Sequence, residues 1–509
     1  PQIALEQRIK CDEQILATLE AHTAQLQKAR TDTLTTLSSA QATLAGIDAE
    51  LAEAGMRKAS TRDSILALRS SLRRRQADTL PLELLREIFL FIAAQEDEFW
   101  TVDSMPEINS SRSLQPFALA AVCSRWRTLA LATPILWHYI AIPPPGAQPE
   151  RFAYYYPYWI RTLLRRSKGS YIDVLLLWRE DETCVTEGSY ASIILNLLVQ
   201  HASRWRRFEF HLPTKFVTMD SFAIFRHPTP ALERFCLVSS DSSATHLEWS
   251  PSFPRFLPVC PRLTVFQSFH NNLVIAVLPS TPHEHLVRLE IYVKVPCAVI
   301  WSIMASAPAL QTFDIQFSDE YSPDDVDVVP STSILFKALT QLRLGDVDAI
   351  KMFSTSAPLL SMPLLKILDV VADFDGLEPF LRSHGTSVEE LGITNAELDL
   401  DALPSLKALP NVCDVRIAAS TLQDELLQAM AVGDESLLPK LRSLHLSEVD
   451  IEPQDGDGLA HLVRSRTLTR NSQLGGMEPK HSTLSSVTIR DSPRIPRWLV
   501  TEISYLLGE

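Results

Sequence analysis

Along the first 78 positions apolar residues return at alternating three- and four-residue steps, a rhythm that predicts helix. With position a set at Ile9, one track runs Ile9, Leu16, Thr23, Arg30, Leu37, Leu44, Leu51, Lys58, Ile65 and Leu72. The companion d track runs Leu5, Asp12, Leu19, Leu26, Thr33, Ala40, Ile47, Ala54, Thr61 and Leu68. Seven of ten positions are apolar on each track and no proline follows Pro1, so a coiled coil or a long helical hairpin is expected. Gly46 and Gly55 each cost up to about 1 kcal/mol in a helix. Asp12, Thr23 and Arg30 interrupt the seam. Self-association, a back-folded hairpin and packing on the segment that follows all remain open. Arg73-Arg74-Arg75 reads as a solvated linker rather than a nuclear signal.

A denser pattern follows between Leu80 and Tyr139. Leu80 and Pro81 open a helix in which Leu82, Leu85, Ile88, Phe89 and Ile92 recur at helical steps. Phe117 to Val122 predicts a second short helix, and Ser124 to Ala132 a third carrying Trp126 and Leu129. Leu136 and Trp137 follow a proline. A unit of about 60 residues lies near the lower limit for a self-sufficient core. Its surplus of Leu, Phe and Trp therefore points to a partner surface.

At these residues the chain resembles the F-box, the adaptor-binding module of cullin–RING ubiquitin ligases. The family's LPxELLxxIF opening is matched by Leu80–Phe89, its V-C-x-x-W centre by Val122–Cys123–Ser124–Arg125–Trp126, and its late L-W by Leu136–Trp137. Family members pass from the first helix to the second through a short acidic loop. This chain instead inserts Gln95 to Gln115. The resemblance implies docking of a Skp-type adaptor through Leu80, Pro81, Leu82, Leu85, Ile88, Phe89, Val122, Cys123, Trp126, Leu136 and Trp137. Some of these must be internal core, and the residues alone do not separate the two roles.

After residue 160 a six-residue pattern, L-x-x-L-x-L or a near variant, recurs. Its clear copies begin at Leu232, Leu286, Leu310, Leu339, Leu365, Val388, Val412, Leu441 and Leu484. Weaker copies begin at Trp205 and Leu263, and Ile172 is expected to open the array. From centre to centre the steps range from 23 to 43 residues, which resembles leucine-rich repeats. Alternation on a short strand turns the last two apolar positions inward and the residue between them outward. Ala298–Ser306 and Leu377–Ser383 would form return helices, and Trp498–Leu507 an amphipathic cap. Few copies carry the usual asparagine, so irregular turns are expected. The middle positions Arg288, Glu290, Asp314, Arg343, Asp369, Arg416 and His445 are the candidates for holding a protein target on the concave face.

The fold class expected is α/β. A helical, coiled-coil-like segment (1–78) precedes a three-helix F-box (79–142, with insert 95–115) and an irregular leucine-rich-repeat solenoid with parallel strands (143–509). Pro143-Pro144-Pro145-Gly146 would end the F-box region. Asp319–Asp327 reads as a surface loop, as does Arg464–Pro479. This order resembles the large F-box families of mushroom-forming fungi.

Charge and composition narrow the function. Of the net charge of −14, residues 1–78 carry +1 (11 Lys/Arg against 10 Asp/Glu) and 79–142 carry −3 (4 against 7), leaving −12 for 143–509. An acidic body disfavours nucleic acid, which needs phosphate-neutralising cations. The aromatics and cations of Tyr154–Lys168 fit the first helix of the array, with rings buried and cations facing water, better than base stacking. Seven cysteines without a C-x-x-C pair argue against a disulfide framework and suit a cytoplasmic or nuclear setting. No apolar run approaches the roughly 18 residues of a bilayer span, and no signal-peptide segment opens the chain. Pro1 in place of methionine fits a natural N-terminus lying upstream.

Candidate chemistry is sparse. His283-Glu284-His285 lacks two further ligands in sequence and reads as surface histidines. No glycine-rich phosphate loop, G-x-S-x-G elbow or H-E-x-x-H helix is present, and no cofactor is implied. By resemblance the chain is then a non-catalytic substrate receptor of an SCF-type ubiquitin ligase, joined through its adaptor to a cullin and a RING subunit. Its repeats would hold an unknown protein target for ubiquitin-dependent degradation. The alternatives are an F-box scaffold outside ubiquitination and a plain leucine-rich-repeat binding module.

Overall fold

The computed structural model describes residues 2–94, 110–142, 149–177, 187–212, 226–239, 257, 259–269, 283–292, 296–317, 328–372, 374, 376–432, 437–452, 457–467 and 484–507. Insert residues 95–109, the proline run 143–146, the acidic stretch 319–327, loop residues 468–479 and Cys184 lie outside them. The chain packs as two compact units, Pro1–Leu85 and Arg86–Glu509.

The first unit is dominated by α1 (Gln2–Thr79), one uninterrupted helix of 78 residues, so the hairpin alternative does not hold. At 1.5 Å per residue it is about 117 Å long. Gly46 and Gly55 sit in it with nothing near a would-be Cβ, so neither marks a bend forced by packing. Every side chain from Gln2 to Ser70 is exposed, the apolar seam included.

The second unit is built on a parallel sheet of 13 strands in chain order. It begins with β1 (Tyr139–Ile142), β2 (Ile172–Leu177), β3 (Trp205–Leu212), β4 (Arg234–Ser239), β5 (Val265–Phe269), β6 (Arg288–Ile291) and β7 (Thr312–Ile315). After the short β8 (Ile334–Leu335) come β9 (Gln341–Leu344), the short β10 (Leu360–Ser361), β11 (Ile367–Val371) and β12 (Glu390–Thr394). The rest are β13 (Glu397–Leu398), β14 (Asp414–Ala418), β15 (Thr421–Gln423), β16 (Ser443–Ser447), β17 (Asp450–Glu452) and β18 (Ser486–Arg490). All twelve copies of the six-residue pattern fall on main-sheet strands. The thirteenth strand, β1, precedes them, so the array starts at Tyr139 rather than at Ile172 and reaches across the expected boundary at 142. All four residues of β1 are buried, so the strand lacks the alternation that marks its successors.

The core follows the pattern closely. Phe208, Phe235, Phe266, Leu289, Phe313, Leu342, Leu368 and Leu391 occupy one register column and are all fully buried. Phe208 stacks on Phe235 at 6.3 Å and Phe235 on Phe266 at 5.7 Å. Return helices Cys297–Ser306, Val347–Ser356 and Glu378–His384 cover this face, with Phe353 touching Trp301, Phe313 and Phe380. The final helix, Arg497–Leu507, buries Leu499 and Ile503 and leaves Trp498 and Tyr505 exposed.

The turns of the last four repeats are regular, contrary to expectation. Asn395, Ala419, Glu448 and Asp491 each follow a main strand with φ of 55°, 47°, 54° and 48°. The first three lead into β13, β15 and β17, which form a second small parallel sheet. Ser420 and Ser492 fill the asparagine's place by accepting from the backbone N–H groups of Ala396 (3.1 Å) and Val449 (2.9 Å) in the preceding repeat.

Candidate functional site

Helices α2 (Leu82–Ala93), α3 (Ser110–Val122) and α4 (Ser124–Ala132) carry the F-box-like motifs. The helical period divides those residues by exposure. Leu85, Phe89, Leu136 and Trp137 are buried, Leu80, Cys123 and Trp126 are half-buried, and Pro81, Leu82, Ile88 and Val122 are exposed. Leu84, within the first motif but outside the expected docking set, is exposed as well. Outside the motifs Phe91, Leu114, Leu131 and Ile135 are also exposed apolar side chains, Phe91 at 77 %.

The motif residues that turn inward have identifiable tasks. The Cys123 sulfur caps α4 by accepting from the Trp126 N–H at 3.5 Å. The Trp126 ring meets Phe89 edge-on at 5.1 Å. Trp137 donates its indole N–H to the Ala130 carbonyl at 2.8 Å. Phe117 meets the Trp137 ring edge-on at 5.1 Å, and the Arg166 guanidinium lies over it at 4.4 Å.

Part of the expected insert is structural. The second helix starts at Ser110 instead of Phe117, so residues 110–115 are its first turns. Arg112 donates to the Ala93 carbonyl at 2.9 Å, capping the end of α2, and lies 4.1 Å from the Tyr139 ring centre. The buried Ser113 hydroxyl accepts from the Ala141 N–H at 3.0 Å, fixing α3 on β1.

The same segment is joined to the repeats by buried charge. Asp173 on β2 accepts from Arg206 at 2.9 and 2.5 Å, and His138 stands 3.5 Å away. Burial alone would raise the Asp173 pKa, but hydrogen bonds from His138 and Arg206 and their charge hold it well below the usual range. Helix α5 (Pro149–Arg166) contributes the Arg166 stack. The expectation that the cations near Tyr154 all face water fails at Arg166, whose guanidinium also lies 5.2 Å from Phe117. Tyr155 and Tyr158 are exposed, not buried. A cavity of about 430 Å³ opens here between Leu114, Phe117, Ala141, Tyr156, Trp159 and Arg166.

The sheet face opposite the helices carries two polar columns. The middle-position column contains Glu209, Cys236, Gln267, Glu290, Asp314, Arg343, Asp369, Gly392, Arg416, His445 and Thr488. Six of the expected target residues line up in it. Arg288 stands two positions earlier, in the neighbouring column with Arg234 and Gln341.

In the N-terminal half the polar groups are committed to one another. Arg207 and Arg234 both engage Glu209, at 2.5 and 2.8 Å. Arg234 also donates to Gln267 (3.1 Å), which donates to Glu290 (2.6 Å), and Arg288 donates to Glu290. Tyr292 donates to Asp314, with Arg343 at 3.5 Å. Glu290 and Asp314 are 1 % and 7 % exposed, so the outward position expected for them is corrected to a buried one. Burial pushes the Asp314 carboxyl up to about 7. Towards the C-terminus the column opens. Arg416 contacts Glu390 at 3.0 Å, His445 lies 3.4 Å from Asp414, and Gln341 donates to Asp369 at 3.2 Å, all with exposed or half-exposed side chains.

Glu209, Arg234, Gln267, Asp173 and Arg166 were not foreseen. Glu209 and Gln267 hold the middle position of the two weak copies, so extending the column would have found them. His283 is buried, with its pKa lowered by burial, whereas Glu284 and His285 are exposed. No metal-binding group of His, Cys, Asp and Glu occurs among the described residues. No helix among them is long and apolar enough to cross a membrane.

The chain therefore carries a parallel-strand array of leucine-rich-repeat type, continuous with a helical segment. No protein-family model matches it, and no curated protein does. A plant peptide hormone receptor, RGFR1, solved in complex with RGF2, is 12 % identical over 46 % of this chain, with a TM-score of 0.22. The match spans 33 % of that receptor chain, about a third of its length. A leucine-rich-repeat protein of Leptospira interrogans is 12 % identical over 70 % of this chain and 98 % of its own, with a TM-score of 0.20. Likeness of this degree carries no weight for partners or activity. The repeat assignment rests on strand order, register and the buried pattern.

Proposed function

We propose that the protein is a non-catalytic substrate-recognition subunit of an SCF-type ubiquitin ligase, its helical segment docking a Skp-type adaptor and its repeats binding a protein target. The observation that carries this reading is the exposure of Ile88 and Val122 while Phe89 and Trp137 supply the core. A module with its core already filled and apolar motif residues left in water is built for a partner. The cullin and RING subunit would join through the adaptor, and ubiquitin transfer would follow from proximity. Arg343, Asp369, Arg416 and His445 are the side chains placed to read a target. Asp314 would act behind Arg343, Glu290 behind the neighbouring Arg288, and Glu390 beside Arg416.

Co-expression with a Skp-type adaptor tests this. Ile88→Glu with Val122→Glu should abolish adaptor recovery while leaving the circular dichroism spectrum unchanged. Equal recovery would sink the reading. Leu85→Ala is unsuitable, because Leu85 is core and its loss would unfold the segment. The second reading, a repeat scaffold outside ubiquitination, draws on the same surfaces, and adaptor recovered without any cullin would favour it.

A further inference from the structure

The unclaimed feature of the molecule is α1, about 117 Å of helix whose apolar seam stands in water from Leu5 to Leu68. A 3.5-residue apolar repeat drifts about 20° per heptad on a straight helix, and supercoiling around a partner removes that drift. The charges on and beside the seam identify the partner. In a parallel, in-register pair each a or d residue meets its own copy. Asp12 would face Asp12, Arg30 would face Arg30 and Lys58 would face Lys58, three like-charge contacts in the interior.

Reversing one helix removes all three like-charge contacts. In an antiparallel pair whose facing seam residues sum to 70, Asp12 meets Lys58 of the second copy. The same register places Leu5 on Ile65, Leu19 on Leu51 and Leu26 on Leu44. Arg30 meets the small Ala40, which leaves room for the guanidinium to reach water. The flanking rows agree independently. The e row is acidic early, at Glu6, Glu13 and Glu20, and basic late, at Arg62 and Arg69. In this register Glu6 reaches Arg69 and Glu13 reaches Arg62, and on the other flank His22 reaches Glu50. All these residues are exposed in the structure.

We propose that α1 pairs with α1 of a second copy of this chain as an antiparallel coiled coil centred near Thr35. This does not depend on the adaptor reading, since none of the docking residues lies on α1.

Sedimentation of the 509-residue chain tests it. The parent chain should be a dimer, and Lys58→Glu should weaken it at least tenfold, because two seam pairs per dimer become repulsive. Asp12→Lys added to Lys58→Glu should return the dissociation constant to within about threefold of the parent. Orientation is read by a short bis-maleimide in a Cys11→Ser background. Thr36→Cys should cross-link, since residue 36 faces its own copy across the flank. Leu26→Cys should not, since its two copies lie about 27 Å apart along the axis. A monomeric parent chain, a weakening that the second reversal does not rescue, or cross-linking at Leu26→Cys without Thr36→Cys would each overturn the proposal.

Discussion

Asp314 is a carboxyl group that the fold keeps at a disadvantage when charged. It is 7 % exposed, one oxygen accepts from the Tyr292 hydroxyl, and Arg343 approaches only to 3.5 Å. Burial raises its pKa from 3.8 to about 7, against the pull of Arg343. Between those values the folded chain holds a proton that the unfolded chain has lost. Stability therefore falls as pH rises, beginning near the unfolded value and levelling above about 7. About three units at roughly 1.4 kcal/mol each set an upper figure of about 4 kcal/mol. Asp314→Asn keeps an acceptor for Tyr292 and carries no charge at any pH. At pH 5, about one unit above the unfolded value, the variant should already be the more stable by about 1.5–2 kcal/mol. At pH 8 the variant should be the more stable, by about 2–4 kcal/mol. Denaturant melts at the two pH values measure this. Asp346, raised by burial to about 6, contributes equally to both chains and cancels. A variant that loses more stability at pH 8 than at pH 5 would mean that Arg343 dominates, and the reasoning would be refuted.

Two further substitutions probe the close approaches. At Gly385 a Cβ would lie 2.2 Å from the Ala408 carbonyl oxygen, a backbone atom, so Gly385→Ala should cost about 3 kcal/mol in a denaturant melt. An unchanged midpoint would show that the neighbouring helix yields freely. Arg166→Gln removes the cation lying 4.4 Å from Trp137 and 5.2 Å from Phe117, and should cost about 1 kcal/mol while altering tryptophan fluorescence. Equal stability and an unchanged spectrum would leave the stack without energetic weight.

The repeat strands were legible because each carries two inward apolar residues flanking one outward residue, a period-two signal that survives uneven spacing. Strand β1 was illegible for the converse reason. Tyr139, Ile140, Ala141 and Ile142 are all buried, and a strand buried on both faces loses its alternation. The start of α3 was missed because Ser110–Gln115 is polar. Its side chains act by hydrogen bond and cation–π contact, through Arg112 and Ser113, rather than by apolar burial. The outward column was found, but its burial was not. The Arg207–Glu209 and Arg288–Glu290 pairs lie two residues apart on one strand. The links of Arg234 to Glu209 and Gln267 and of Gln267 to Glu290, however, join cross-strand neighbours 23 or more residues away, which no local pattern reports. Within the F-box-like motifs, apolarity alone cannot say which side chains face in. The buried Leu85 and Phe89 and the exposed Ile88 differ only in their place around one helical turn.

The way the helical segment meets the array bears on what the proposed receptor could do. Trp137 closes the motif region, and two residues later Tyr139 is already paired with Asp173 in the sheet, with no linker between. Asp173 fastens the junction from inside through His138, and Arg166 covers Trp137. The Asp173 side chain is 4 % exposed but that of Arg206 is 41 % exposed, so solvent screens their pair within the array. It is the buried His138–Asp173 contact together with the β1–β2 pairing that ties the helical segment to the array and resists bending. A partner seated on Ile88 and Val122 and a target seated near Arg416 and His445 would therefore be held at one spacing. Transfer by proximity requires such a spacing, because a flexible tether would lower the effective concentration of the target at the enzyme.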